Sequence, residues 1–260
     1  MRILVTGYKG FIGSHMANAF PDDDVTLFEW GDDYPAIKNF DWVIHLGAIS
    51  ATTERDVEKV MNQNLDFSIR LLNSCQWFGV NFQFASSASI YGLGTNFREN
   101  APPDPRTPYA WSKYLFERYV RSQSPIEDIC VQMFRYFNVY GSGEDHKGTQ
   151  ASPYHQFGKQ ARENGVIKVF ENSENYSRDF VPVEQVVDTH KKFMQTKVSG
   201  VFNVGTGVAS SFMDVAKSFD VPIETIPMPE ILKSSYQVYT CADMSKTNRI
   251  LQNFNGEKTV

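Results

Sequence analysis

At 260 residues, 42% of them hydrophobic, the chain is long enough to bury one large core, or a core with a smaller lobe beside it. A formal net charge of −5 gives no footing for nucleic acid or an anionic membrane surface, and no apolar run approaches the ~18 residues of a membrane span. The odd number and wide spacing of Cys75, Cys130 and Cys241 fit reduced core thiols better than a disulfide framework, and with a strand where an apolar leader would stand they point to a cytoplasmic protein.

The chain opens with an apolar strand, Arg2–Thr6, running into Gly7-Tyr8-Lys9-Gly10-Phe11-Ile12-Gly13 and then a helical stretch, Ser14–Phe20. Strand, glycine loop and helix in that order let a pyrophosphate approach the backbone and the free N–H groups of a helix start, so a bound dinucleotide is expected. The spacing is G-x-x-G-x-x-G. A second strand, Val25–Glu29, ends in an acid about 20 residues beyond the glycines, where a carboxylate can accept from ribose hydroxyls. Glu29 favours NAD over NADP, because it would repel a 2′-phosphate and the neighbouring Trp30 supplies no cation.

Only about a dozen residues separate Glu29 from the third strand, Asp41–Ala48, whereas a strand-helix-strand crossover takes ~30. One αβ unit is therefore expected to be missing after the second strand. Arg55–Phe78 carries apolar residues at helical spacing and is closed by Gly79; Val80–Ala85 is the next strand, ending in Ser86-Ser87. Thr107 can cap and Pro108 can open the following helix, which carries Tyr109 and Lys113 one turn apart.

A lysine ammonium beside a phenol favours its ionised form, and bringing a tyrosine from ~10 toward neutrality takes about 4 kcal/mol. Such a tyrosine serves as a general acid or base. The pair alone also arises by chance, so its weight comes from its setting. Ile129–Arg135 is a further strand, followed by an aromatic turn, Tyr136–Gly141. The alternation predicts an α/β, Rossmann-type doubly wound parallel sheet.

From 142 onward the rhythm breaks, with a short helix near 153–164, a strand at Ile167–Phe170, a helix over Val183–Met194 and a strand at Gly200–Gly205 returning to the sheet. This divides the chain into a dinucleotide-binding part, 1–142 plus about 181–205, and a smaller C-terminal substrate-binding lobe, about 143–180 and 206–260. The cleft between them is the expected ligand site. His45 on an apolar strand reads as a packed, hydrogen-bonded residue, and His146 and His155 lack the acids or cysteines of a metal site.

Taken together, Thr6-Gly7-x-x-Gly10-Phe11-Ile12-Gly13, His45-Leu46-Gly47-Ala48, Ser86-Ser87-x-x-x-Tyr91-Gly92, Tyr109-x-x-x-Lys113, Arg135–Gly141 and Arg178-Asp179-Phe180-Val181 resemble, in this order, the extended short-chain dehydrogenase/reductase family of NAD-dependent epimerases and dehydratases. The resemblance implies a catalytic set of Ser87, Tyr109 and Lys113 and a recycled NADP or NAD. Its cofactor contacts would be Gly7, Gly10, Phe11, Ile12 and Gly13, then Glu29 and Trp30, Leu46, Gly47 and Ala48, and finally Asn64, Lys113 and Val139. Ala88 and Ser89 stand where the family's dehydratases carry an acidic pair, which argues against dehydration.

Within the family, Glu144-Asp145-His146-Lys147-Gly148, Phe170–Phe180, Gly200–Gly207 and Tyr236-Gln237 are similar to the branch that epimerises a side-chain carbon of a nucleotide-diphosphate sugar, ADP-heptose, on the route to lipopolysaccharide. That likeness implies oxidation to a transient ketone and reduction from the other face, with Lys147 as a second acid/base group. It implies substrate contacts at Ser87, Asn138 and Thr149, at Phe170, Glu171, Asn172 and Ser173, and at Arg178 and Tyr236. Arg178 would be a diphosphate clamp. Other readings are a nucleotide-sugar 4-epimerase or reductase of the same family, or a catalytically silent dinucleotide-binding protein. A trimmed sheet edge and the lack of a closing helix after Leu251 predict a homo-oligomer.

Overall fold

The computed structural model describes residues 1–123, 126, 128–230 and 237–257. Strand β1 (Arg2–Thr6) buries Ile3, Leu4 and Val5 completely, as a strand covered on both faces must. Helix α1 starts at Phe11 and ends at Ala17, earlier than the run from Ser14 suggests, because Gly10 is the extended residue before it and Gly13 packs inside its first turn. Strands β2 (Asp24–Phe28) and β3 (Trp42–His45) are joined by a loop with one 3₁₀ turn, Ile37–Asn39. The expected loss of an αβ unit is thus met, and β2 is left as the sheet edge.

Helix α2 (Val57–Val60) continues through a π turn, Met61–Asp66, into α3 (Phe67–Phe78), which ends at Gly79 with φ +69°. Strand β4 (Asn81–Ser87) leads to α4 (Pro108–Ser122), where Thr107 accepts from the Ala110 amide at 3.1 Å and Pro108 opens the first turn. Then come β5 (Val131–Tyr136), β6 (Asn138–Tyr140), α5 (Pro153–Asn164), β7 (Ile167–Phe170), β8 (Ser177–Pro182), α6 (Val183–Thr196) and β9 (Gly200–Val204).

The large sheet runs β2-β1-β3-β4-β5-β9, every pair parallel. Leu4, Val43, Phe82, Phe84 and Met133 pack on Leu71, Cys75, Phe116 and Val120 of α3 and α4. Ile3, Val5 and Ile44 face Met16 of α1 and Met194 of α6, while Phe134, Phe202 and Val204 face Val186 and Phe193 of α6. Alternate residues of each strand therefore feed opposite faces, and both faces are covered. The chain turns from one side of β1 to the other between β2 and β3, so a ligand crevice opens at the carboxyl ends of β1 and β3.

The expected aromatic turn resolves into the end of β5 and the short β6. Strand β6 lies parallel to β8, and β10 (Ala209–Ser211) closes that sheet antiparallel; β7 pairs with β11 (Ile223–Ile226). With α5 and α7 (Phe212–Lys217) they enclose a separate core of Phe157, Ile167, Val169, Phe180 and Val215. The last helix, α8 (Ser245–Glu257), runs through the region where no closing helix was expected, and Ile250 and Leu251 pack with Phe193 and Phe202. Residues that the sequence groups with the smaller lobe thus return to the large sheet.

Candidate active site

Gly7 adopts φ +73°, and a Cβ there would lie 2.5 Å from Gly47 Cα; a Cβ on Gly13 would lie 1.9 Å from the Gly7 carbonyl oxygen. Glycine is what lets β1, α1 and the end of β3 touch. The Ser14 amide donates to Gly10 O at 2.9 Å, leaving those of Phe11, Ile12 and Gly13 as the open donors of a helix start. Glu29 lies just past β2, where its carboxylate accepts from the Lys9 amide and its own neighbour's, both at 3.2 Å. Beneath the loop, Ser68 donates to Asn64 O, so His45 donates Nε2–H to Ser68 (2.8 Å) and accepts from Thr6 at Nδ1 (2.6 Å). Burial, then the Lys113 charge, hold its pKa at about 3: a neutral, packed histidine, as the sequence indicates.

A cleft of about 320 Å³ brings together Gly7, Gly10, Phe11, Ile12, Gly13, Glu29, Leu46, Gly47, Ala48 and Val139 with Ser87, Tyr109, Lys113 and Lys147. A side pocket of about 110 Å³ continues past Glu29, walled by Phe28, Trp30 and Phe67, with the Trp30 ring edge-on to Phe67 at 5.4 Å. Ser50, Tyr136, Phe137 and His146 also line the main cleft. Sequence reasoning missed these as site residues, although Tyr136 and Phe137 sit inside the quoted Arg135–Gly141 motif.

Tyr109 opens α4 and Lys113 follows one turn on, its Nζ 5.8 Å from the Tyr109 ring centroid and 4.5 Å from that of Phe84. Burial pushes the Tyr109 phenol up, and its hydrogen bond with Ser87 offsets only part of that; burial brings the Lys113 ammonium down to about 7. The expected fall of the phenol toward neutrality is therefore not found. Desolvation outweighs the Ser87 hydrogen bond, and the Lys113 ammonium is itself destabilised by burial.

Asn64, expected against the cofactor, is completely buried in the π turn, where its amide brackets the Ile49 backbone (2.8 and 3.0 Å) and donates to Ser112 Oγ at 3.1 Å. It positions the cleft wall and α4 from behind, a correction to its assignment. Glu117 was missed. It extends the Tyr109–Lys113 stripe by one turn, and its carboxylate accepts from Ser86 Oγ (2.6 Å) and from Arg135 Nε and Nη2 (2.9 and 2.6 Å), with both side chains at most 2% exposed. The four-residue spacing was the available signal.

Lys147 lies in a 3₁₀ segment, Asp145–Gln150, with Nζ 4.9 Å from the Phe11 ring centroid. The same segment borders a second groove of about 770 Å³, where Thr149, Phe170 and Ser173 meet Gln156, Lys168 and Phe212. Ser173 Oγ is buried there with no hydrogen-bond partner among the described residues. Arg178, buried on β8, stacks 5.4 Å over Phe212 and donates to Ser177 O. Asp179 beside it does not serve as its ion-pair partner in this arrangement; it accepts from Thr206, Gly207 and Ala242. Glu171 and the left-handed Asn172 are exposed on the turn after β7, and Asn138 is half-buried on β6 outside the lining of both clefts. Tyr236 lies outside the described residues. A larger cavity, about 860 Å³ between α4, β9 and α8, holds none of the expected residues.

A dinucleotide crevice at the strand ends, with a Ser–Tyr–Lys set facing it, defines an enzyme of short-chain dehydrogenase type. The model of the NAD dependent epimerase/dehydratase family matches residues 3–205, and the chain belongs to that family. Among solved structures, the Helicobacter pylori ADP-L-glycero-D-manno-heptose-6-epimerase is 28% identical with a TM-score of 0.85, over 96% of this chain and 90% of that one. The UDP-N-acetylglucosamine 4-epimerase of Methanobrevibacter ruminantium (22%, TM-score 0.85, 96% and 91% covered) and the UDP-glucose 4-epimerase of Thermotoga maritima (24%, 0.79, 96% and 92%) share the fold.

The cofactor is a nicotinamide dinucleotide, and the residues present fit it: the glycine contacts leave no side chain in the loop's path, and the side pocket continues the cleft beyond Glu29. Among the described residues no cluster of His, Cys, Asp or Glu could hold a metal, and no helix is long and apolar enough to cross a membrane.

Proposed function

We propose that the chain is a nucleotide-sugar epimerase and that its substrate is ADP-heptose, inverted at the side-chain carbon. The observation that carries this reading is that Tyr109 and Lys147, from different lobes, line one cleft with the glycine loop. The chemistry supplied by the bound dinucleotide is reversible hydride transfer. Tyr109 exchanges the hydroxyl proton of one epimer as it is converted to or from the ketone, with Ser87 holding the same oxygen. Lys147 does so for the other epimer. Lys113 fixes the cofactor and Tyr109, while Thr149 and Ser173 support the nucleotide diphosphate from the second groove, whose Phe212 wall Arg178 stacks on. The likeness to the Helicobacter enzyme supports the choice of sugar.

The test is direct. ADP-heptose, UDP-glucose and UDP-N-acetylglucosamine are offered in turn and the products read by proton NMR, with wild-type, Tyr109→Phe and Lys147→Met proteins. Inversion of ADP-heptose, lost in both variants by at least ~10²-fold, is expected. Full activity in Lys147→Met sinks the two-base reading and favours a 4-epimerase that uses Tyr109 for both faces; turnover of no sugar favours a silent dinucleotide-binding protein.

We further propose a cytoplasmic homo-oligomer. The open edge at β2 and the exposed Trp77 and Phe78 at the end of α3 support it. Light scattering at micromolar concentration giving only a monomer removes it.

A further inference from the structure

Glu144 is completely buried, yet both of its oxygens are engaged by four donors. Oε1 accepts from the Gly141 amide (3.2 Å) and Ser152 Oγ (2.6 Å); Oε2 accepts from the Ser152 amide (2.7 Å) and Lys147 Nζ (3.1 Å). Burial pushes the carboxyl up, but the Ser152 hydroxyl and amide and the Lys147 charge outweigh it and hold the group below the ordinary carboxylate range. An acid in such a place stays ionised and immobile.

The donors come from three places that must agree for the cleft to form. Gly141 ends the turn after β6, and a Cβ on it would collide with Val183 at 2.7 Å. Lys147 reaches from the 3₁₀ segment to the Phe11 ring, beside which His15 Nε2 holds Ser142 O at 2.8 Å. Ser152 caps α5, which supplies Pro153, Gln156 and Phe157 to the second groove. A lysine on a flexible four-carbon stem is held by little else, and it stands between this carboxylate and the Phe11 face.

We propose that Glu144 is the positioning residue through which Lys147 acts: its carboxylate fixes the ammonium at the cleft wall and ties that position to the α5 wall of the second groove. The proposal rests on Lys147 being the second acid/base group. Glu144→Gln keeps the shape, since an amide oxygen can still accept from Ser152 and Lys147 while its NH₂ group donates to Ser152 Oγ. It removes the charge and sets an N–H against the Gly141 amide.

The experiment is a double-mutant cycle on ADP-heptose turnover with Glu144→Gln, Lys147→Met and the double variant, reading kcat and KM separately. Glu144→Gln is expected to lower kcat at least ~10-fold with KM changed less than ~3-fold, and to cost nothing further in the Lys147→Met background. An equal loss in both backgrounds means a merely structural role and overturns the proposal, as does full activity of Glu144→Gln. Full activity of Lys147→Met instead sinks the two-base reading itself, a separate outcome. Should Glu144→Gln fail to fold, Glu144→Asp, whose carboxylate is one methylene short, runs the same cycle with the same expectation.

Discussion

The two clefts of this molecule are built in different ways. The cofactor side is shaped by backbone: a side chain on Gly7 would collide with Gly47 and one on Gly13 with Gly7, and strand ends deliver the rest. The second groove is shaped by side chains from a 3₁₀ segment, the face of α5 and the turn after β7. A backbone-shaped site tolerates few sequences and is rigid, whereas a side-chain-shaped one can be re-cut without disturbing the sheet. On the proposed function, chemistry is thereby fixed on the first side and substrate choice left adjustable on the second.

If that division is right, the largest effects lie on the rigid side. Tyr109→Phe keeps the ring beside Lys113 and removes only the ionisable oxygen, so turnover should fall ~10²–10⁴-fold while dinucleotide affinity, measured by calorimetry, changes less than about twofold. A comparable fall in affinity would mean that the phenol holds the cofactor and is not the proton-transfer group. Next comes the pair behind it. Glu117→Ala leaves Arg135 buried beneath Tyr91 without its carboxylate, which typically costs about 3–5 kcal/mol. Urea unfolding that detects less than ~1 kcal/mol would show that Arg135 finds water.

The contrast also explains what the sequence revealed. Glycine spacing, strand ends and the Tyr109–Lys113 turn were legible because sterics and helical period leave little choice at these positions. The parts that escaped depend on long-range packing. Asn64 fell inside a π turn that no pattern announces, and its amide turned toward Ile49 and Ser112. The direction of the Tyr109 shift escaped because burial, which outweighs the Ser87 hydrogen bond, is invisible in the spacing of two residues. Strands β6 and β8 escaped because β6 is only three residues long and the two pair across more than 40 intervening positions, Asn138 with Phe180.

A smaller effect follows from Lys113. Its pKa is about 7 in the folded, dinucleotide-free protein and near 10.5 in the unfolded chain, so the unfolded state binds more protons between those values. Stability should therefore rise with pH across that window, by about 3 kcal/mol up to pH 9.5, as the folded state sheds the buried charge. The Lys113→Met protein lacks this rise. Urea midpoints of the two proteins, taken from pH 7 to 9.5, should thus diverge in wild type's favour; parallel curves would mean that the ammonium reaches solvent.

The smallest effect tests where rigid and adjustable parts meet. With one αβ unit absent, the side pocket past Glu29 is where we expect the adenosine end, and aromatic rings wall it: Trp30, on the loop after β2, stands edge-on to Phe67 at 5.4 Å, and Phe28 of β2 stacks on Phe67 at 5.6 Å. A base stacking on such a wall contributes about 0.5–1.5 kcal/mol beyond area burial. Trp30→Ala should accordingly weaken binding of NAD and of ADP-ribose alike by about tenfold, yet leave nicotinamide mononucleotide unchanged, since that half never reaches Phe67. Glu29, bonded to the Lys9 amide at the same place, should keep NADP the weaker ligand in both proteins. If Trp30→Ala weakens all three ligands equally, the loop acts by holding the glycine turn in shape, and the adenosine end belongs with the backbone-shaped half of the molecule after all.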